Sequence, residues 1–125
     1  MFNKIKPIII SKIWGWEFVY HNNDKYCFKR LLLRKSFQCS THYHKIKEET
    51  FYIEFGKIIL NIEGKDNILR QGDYITLLPM TKHSFCGITN AMIIECSSQD
   101  FVEDSYRVEN ELSRQINLEE RLKIS

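Results

Sequence analysis

Histidines and glutamates with metal-ligand spacing lie in the segment STHYHKIKEETFYIEFG. His42 and His44 are one residue apart, so on a β-strand both imidazoles point to the same face. The nearest carboxylates for a third ligand are Glu48 and Glu49, and His83 follows a Pro-containing turn as a candidate for a fourth. Two or three histidines with one carboxylate form a ligand set for Fe, Mn, Co, Ni or Zn. The spacing therefore predicts a site for a divalent transition metal.

The elements that would position these residues are mostly β-strands. From about Phe18 to Cys96, short runs of β-branched and aromatic residues recur between Gly and Pro turns, which is typical of a β-sandwich or barrel. From Val108 to Ile124 the apolar residues lie about a helical turn apart and predict one amphipathic helix or two short ones, with Asn117 capping the second. An inward-facing row is predicted after the histidines: Glu49, Phe51, Ile53 and Phe55.

Composition limits the protein to a few classes. The 125 residues and 15.0 kDa suit one folded domain, with 43% hydrophobic and 27% charged residues. A net charge of +2, with scattered lysines, gives no reason to expect nucleic acid as a partner. The first residues contain no apolar run long enough for a signal peptide or a membrane span, which predicts a cytoplasmic protein with no membrane partner. The four cysteines form no C-x-x-C pair and are predicted to be free thiols.

The order of motifs resembles that of the cupin superfamily. His42-x-His44, Glu49 and Gly56 resemble the first cupin motif, and the block from Gly72 to His83 resembles the second. In this chain Lys35, Ser36 or Phe37 occupies the turn where a Gly usually precedes the histidines, and Met80 or Thr81 stands where the second motif often has one. The resemblance implies an all-β fold, a single cupin jelly-roll barrel with a short C-terminal helical segment. It also implies the metal ligands His42, His44, Glu49 and His83.

A closer resemblance runs from about Lys12 to Asn110. The Trp-Gly-Trp-Glu and Asp-Ser-Tyr-Arg segments look like the cupin domain of type II mannose-6-phosphate isomerases. That domain also forms the C-terminal part of mannose-1-phosphate guanylyltransferases. The resemblance implies a metal-dependent sugar or sugar-phosphate isomerase that interconverts aldose and ketose through an enediolate.

Candidate site residues follow from that chemistry. The proton-transfer candidates are Glu17, Lys29 and Tyr52. The substrate-binding candidates are Arg30, Arg107 and Trp16. Where the family usually has further His or Arg residues, this chain has Lys45, Ile46 and Lys47. A related aldose, a heptose phosphate or a nucleotide-linked sugar is therefore an alternative substrate.

Two other functions are compatible with the same ligands: a metal-dependent oxygenase and a non-catalytic sugar-binding cupin. The predicted organisation is one cupin domain over residues 1–125, with a barrel core at about 12–107 and a helical tail at about 108–124. By analogy with other cupins we expect a homodimer, to which the apolar segment IKPIII could contribute.

Overall fold

The computed structural model describes residues 5–108 and 110–123. These residues form an almost entirely β structure with one α-helix, α1 (Leu118–Lys123), and a 3₁₀ turn, Val102–Asp104. The strands are β1 (Ile8–Lys12), β2 (Gly15–Asn22), β3 (Cys27–Leu33), β4 (Phe37–Gln38), β5 (His42–Tyr43), β6 (Glu49–Phe55), β7 (Lys57–Ile62), β8 (Lys65–Arg70), β9 (Tyr74–Leu77), β10 (His83–Gly87), β11 (Ala91–Ser97), β12 (Tyr106–Arg107) and β13 (Arg114–Gln115). The all-β prediction is confirmed.

The strands form two sheets. The first has the order β1-β2-β3-β11-β6-β9, and the second the order β12-β5-β10-β4-β13, with β7 paired to both β10 and β8. The alternation in β3 shows which side chains face inward: Cys27, Lys29, Leu31 and Leu33 are buried, and the residues between them are half-buried. The sheets pack face to face without closing into a continuous barrel.

The hydrophobic core lies between the sheets. Its fully buried members include Leu33, Phe51, Ile53, Leu60 and Ile93. Burial of such side chains contributes about 1.5–3 kcal/mol each to folding. Several core residues, including Phe51 and Phe85, also line a cavity that His42, His44 and Glu49 share.

Three turns depend on unusual backbone conformations. At Gly15 a Cβ atom would lie 1.8 Å from the carbonyl oxygen of Leu32, so only glycine allows β2 to approach β3 there. Ser36 (φ 71°) and Met80 (φ 73°) adopt the left-handed conformation. They lie at the two places where cupin motifs commonly have glycine.

The tail is only partly helical, which corrects the prediction for 108–124. Position 109 and Ile124 lie outside the described residues. Arg114 and Gln115 pair with β4 as a strand, because the backbone there bonds to the second sheet before α1 begins. The predicted cap at Asn117 is confirmed, since its Oδ1 accepts the N–H of Glu120 at 3.2 Å.

Two remaining sequence predictions concern the chain as a whole. All four cysteines are free, as predicted, and three of them are buried. Nowhere in the described part of the chain does a helix have the length and apolar character that a membrane crossing requires.

Candidate metal centre

Three imidazoles, those of His42, His44 and His83, lie close together. His42 lies in β5 and faces His83, the first residue of β10, directly across the ladder. His44 follows β5, two residues after His42 and on the same side. One ring nitrogen from each histidine lies within 4.8 Å of the other two. The two sequence motifs therefore converge at a single point.

Glu49 approaches two of the histidines from the opposite sheet. It is the first residue of β6, and its side chain is 3% exposed. Its Oε2 lies 3.2 Å from His44 Nε2 and 3.4 Å from His83 Nε2. Glu48, the alternative carboxylate, is exposed. The structure thus brings together the four residues that the cupin resemblance implies as ligands.

Backbone carbonyls determine which nitrogen of each histidine is available. The Nδ1 atoms of His42, His44 and His83 lie 2.8, 3.1 and 2.9 Å from the carbonyl oxygens of Ser40, Asp104 and Thr81. A carbonyl oxygen only accepts, so each Nδ1 must carry the hydrogen and donate. With the hydrogen on Nδ1, the Nε2 atom is left as the nitrogen that can ligate a metal, which is how protein surroundings usually orient metal-binding histidines.

The buried Nε2 atoms fit a cation. Those of His44 and His83 make no hydrogen bond, and they face Glu49 Oε2, which is also an electron-pair donor. Such an arrangement is repulsive unless a proton or a metal ion lies between the groups. Burial lowers the pKa of His42 to about 4 and also lowers that of His83, so these rings resist protonation. Three neutral imidazoles and one carboxylate suit a divalent first-row metal.

A network of buried charges adjoins this centre. We call Glu17, Lys29, Lys47, Glu95 and Asp100 the charge cluster. Lys47 Nζ lies 3.1 Å from Glu95 Oε2 and 3.0 Å from Asp100 Oδ1. Lys29 Nζ lies 2.8 Å from Asp100 Oδ2 and 3.0 Å from Glu17 Oε1. Each buried ammonium is therefore held between two carboxylates, as a buried charge requires.

The carboxylates keep both lysines charged. Burial alone would lower the pKa of Lys29, but Glu95, Glu17 and Asp100 raise it above its ordinary value. The pKa of Lys47 is raised in the same way. A lysine that is protonated at neutral pH cannot accept a proton, so the predicted base Lys29 is less suited to that role than a carboxylate. Glu95 differs because burial raises the pKa of its carboxyl.

A cavity of about 950 Å³ opens beside the histidines and the charge cluster. Its lining includes His42, His44, Glu49, Lys47, Glu95 and Glu17. Arg107, which pairs with His42 through the backbone of β12, is exposed and also lines it. The predictions of Glu17 and Arg107 as site residues are therefore compatible with the structure.

Three other candidates lie on the outer face of the first sheet. Tyr52 is 42% exposed and alternates with the inward-facing Phe51 and Ile53. Arg30 binds Glu54 there, with Nε 3.0 Å from Oε2, and Trp16 is 38% exposed. Strand parity places all three away from the cavity, which corrects their assignment as catalytic or substrate-binding residues.

The predicted row of Glu49, Phe51, Ile53 and Phe55 also needs one correction. Phe55 is 40% exposed, because the pairing of β6 with β11 shifts register near the end of the strand. Phe51 and Ile53 are buried as predicted, and the Phe51 ring lies 6.1 Å from that of His83.

Sequence reasoning missed Asp104. Its buried carboxylate accepts the backbone N–H groups of Lys45, Ile46 and Lys47 at 2.9–3.2 Å, and its own carbonyl accepts from His44 Nδ1. The 3₁₀ turn thereby holds both a candidate ligand and the loop that follows it. The signal was Asp104 itself, the first residue of the Asp-Ser-Tyr-Arg segment, about 60 residues from the loop it stabilises.

Comparison with known proteins identifies the fold. A cupin of the RmlC-like type from Shewanella frigidimarina superposes with a TM-score of 0.70 at 17% identity, over 78% of this chain and 87% of that one. Pac13, a nucleoside dehydratase, superposes with a TM-score of 0.73 at 17% identity, over 92% of this chain and 91% of that one. The chain therefore has the cupin fold. No family model matches the sequence.

Curated sequence relatives are sugar isomerases. A D-lyxose/D-mannose isomerase from Thermosediminibacter oceani is 31% identical over 64% of this chain and 60% of its own. A D-lyxose ketol-isomerase from Thermofilum sp. is 29% identical over 68% of this chain and 63% of its own. The chain thus spans about 60% of the length of these relatives.

Proposed function

We propose that this chain carries the active site of a metal-dependent sugar isomerase that interconverts an aldose and its 2-ketose. The observation that carries the proposal is the set of buried Nε2 atoms that face Glu49 Oε2 beside a cavity. The relatives named as D-lyxose and D-mannose isomerases support the reaction class.

The proposed metal ligands are His42, His44, Glu49 and His83. Zn, Mn, Fe, Co and Ni all suit these donors. A bound divalent ion would act as a Lewis acid towards the substrate's carbonyl and hydroxyl oxygens and so favour the enediolate. The remaining chemistry falls to side chains of the chain itself.

The proposed proton acceptor is Glu95, with Glu17 as the alternative. Isomerisation removes a proton from C2 of the aldose and returns it to C1, so one group serves first as base and then as acid. Burial raises the pKa of Glu95 above its ordinary value, which makes it a stronger base than an exposed carboxylate. Lys29 lowers the pKa of Glu17 despite the burial of that carboxyl, which makes Glu17 a weaker base.

The proposed substrate is an unphosphorylated aldose of the lyxose or mannose type. A phosphate group binds best to cations that lack another partner, and both cavity lysines are already held by carboxylates. Sugar hydroxyls, in contrast, can donate to those carboxylates. Arg107 at the cavity edge favours a second candidate, mannose 6-phosphate or a related sugar phosphate.

A substrate panel tests both candidates. Protein loaded in turn with Mn²⁺, Co²⁺ or Zn²⁺ is incubated in ²H₂O with D-lyxose, D-mannose and D-mannose 6-phosphate, and NMR follows the ketose and deuterium at C1. We expect turnover of a free aldose, abolished by chelation. Turnover of the phosphate alone would favour the mannose-6-phosphate type.

Other outcomes point to the remaining functions. Metal binding without any ketose, combined with thermal stabilisation by sugars, would indicate a sugar-binding cupin. Oxygen consumption by the iron-loaded protein would indicate an oxygenase.

We also propose that the protein is a homodimer and that residues 1–125 are one domain. Ile8, Ile9 and Ile10 of the edge strand β1 are 40–66% exposed, and unpaired apolar edge strands readily associate. Light scattering during size-exclusion chromatography tests the dimer, and a mass near 15.0 kDa would contradict it.

A further inference from the structure

Lys47 lies between the candidate metal centre and the charge cluster. Its side chain is 4% exposed. Its Nζ binds Glu95 and Asp100, and it also lies 3.6 Å from Glu49 Oε1. The second oxygen of Glu49, Oε2, faces His44 and His83 instead. The two oxygens of one carboxylate therefore serve different partners.

This division matters because a carboxylate can bind a metal through one oxygen or through both. A fixed ammonium beside Oε1 attracts the negative charge of that oxygen and draws it away from the histidines. Ligating carboxylates are commonly held by a further partner in this way. For Glu49 that partner is a buried cation.

We propose that Lys47 is a positioning residue that keeps Glu49 a single-oxygen ligand, so that room remains for the substrate's oxygens on the cavity side. This inference rests on the proposed metal site. It assigns Lys47 no contact with the reacting atoms, since its effect would act through Glu49.

The surroundings of Lys47 hold it in place for this role. Asp104 accepts its backbone N–H at 3.0 Å, and Glu95 and Asp100 accept hydrogen bonds from its ammonium. A long, flexible side chain would otherwise lose considerable rotamer entropy on burial. The position of the ammonium is thus determined at both ends of the residue.

Lys29 provides a matched control. It is also buried between two carboxylates and shares Asp100 with Lys47. It contacts Glu17 where Lys47 contacts Glu49. Replacing either lysine by methionine removes one buried ammonium and keeps a similar side-chain length, but only Lys47→Met changes the partner of Glu49.

The test uses Co²⁺ as the probe. Metal-free wild-type protein, Lys47→Met and Lys29→Met are titrated with Co²⁺ while visible absorption is recorded. A second oxygen from Glu49 raises the coordination number, so Lys47→Met should lose visible absorbance per bound ion, whereas Lys29→Met should keep the wild-type spectrum. Difference infrared spectra should show the carboxylate stretching bands moving closer together in Lys47→Met alone.

Affinity and activity separate positioning from a general structural role. Lys47→Met should bind Co²⁺ at least as tightly as the wild type, because one repelling cation is gone. Its kcat/KM should fall by about 10–100-fold, as is typical when a ligand's supporting partner is removed. If Lys47 only stabilised the fold, Co²⁺ affinity would fall and the spectrum would stay unchanged.

The remaining outcomes also test the role of Lys47. If Lys47→Met fails to fold, the double variant Lys47→Met/Glu95→Gln, which removes one carboxylate left without its partner, is measured for spectrum and affinity in its place. Identical spectra in wild type and variant, or equal spectral changes in both lysine variants, would overturn the inference alone. Failure of the wild type to bind Co²⁺ would instead overturn the proposed metal site.

Discussion

The metal centre and the charge cluster lie side by side and are built on opposite principles. In the charge cluster each ammonium is held by carboxylates at 2.8–3.1 Å. In the metal centre, the Nε2 atoms of His44 and His83 face Glu49 Oε2 without a hydrogen-bond partner. The charge cluster is complete as it stands, whereas the metal centre is balanced only when a cation joins it.

The largest effect should come from removing a ligand. His44→Ala takes one donor from the centre, so we expect the metal content to fall to background. Activity should fall by more than about 100-fold, the loss typical when only a residue that supports a ligand is removed. Elemental analysis and the ketose assay measure both. His21→Ala is the control, because His21 stacks on Tyr26 and is outside the histidine group. Unchanged metal content in His44→Ala would refute the site.

The next largest effect should come from Asp104→Ala, and it should be felt in both the metal centre and the charge cluster. It leaves three backbone N–H groups without their acceptor, and we expect a loss of about 3 kcal/mol in the free energy of unfolding of the metal-free protein. Urea denaturation measures this loss. Asp73→Ala is the control: its carboxylate accepts the N–H of Arg70 in an exposed turn, and we expect about 1 kcal/mol. Equal losses would contradict the role of Asp104.

Acid should lower the free energy of unfolding of the metal-free protein, because buried histidines become protonated when the chain unfolds. The folded-state pKa of His42 is about 4, below its ordinary value of 6.5, so the unfolded chain binds more protons between these pH values. The stability contribution is present above pH 6.5 and is lost as the pH falls towards 4, by roughly 2–3 kcal/mol.

Urea unfolding in the presence of a chelator, at a series of pH values from 7 to 4, measures this slope. In His42→Asn the slope should become shallower over the same range. A slope identical to that of the wild type would show that His42 does not titrate as its burial implies.

The smallest effect should come from the turn before β10. Met80 adopts a left-handed φ of 73°, which costs an L-residue about 1 kcal/mol. Met80→Gly should therefore raise the free energy of unfolding by up to about 1 kcal/mol and leave metal binding unchanged. Met92→Gly, which removes a buried side chain from β11, should instead be destabilising. A loss of stability in Met80→Gly would contradict the strain argument.

Sequence alone predicted the part of the site in which spacing determines geometry. His42 and His44 share a face because strands alternate, and the cupin resemblance supplied Glu49 and His83. The sequence could not predict the charge cluster, because Lys47, Glu95 and Asp100 meet only through sheet pairing across the fold. Arg30 and Lys29 illustrate the limit: parity showed that only one of them faces inward, and the structure shows that it is Lys29, already bound by carboxylates.

The tail shows a similar limit. Helical spacing predicted α1 and its cap at Asn117, but the same spacing before it was overridden by pairing with β4. Local patterns therefore succeeded where the backbone and cap hydrogen bonds stay within the segment and failed where a neighbouring strand offered hydrogen bonds.

The placement of the four candidate ligands has a mechanical consequence. His42 and His83 belong to the second sheet and Glu49 to the first, and the sheets are not joined by a closed ring of strands. A bound ion would therefore serve as a crosslink between the two sheets of the sandwich. At 100 times its dissociation constant, an ion that binds only the folded chain adds about 2.7 kcal/mol of stability, so the same ion that enables chemistry would also hold the cavity walls together.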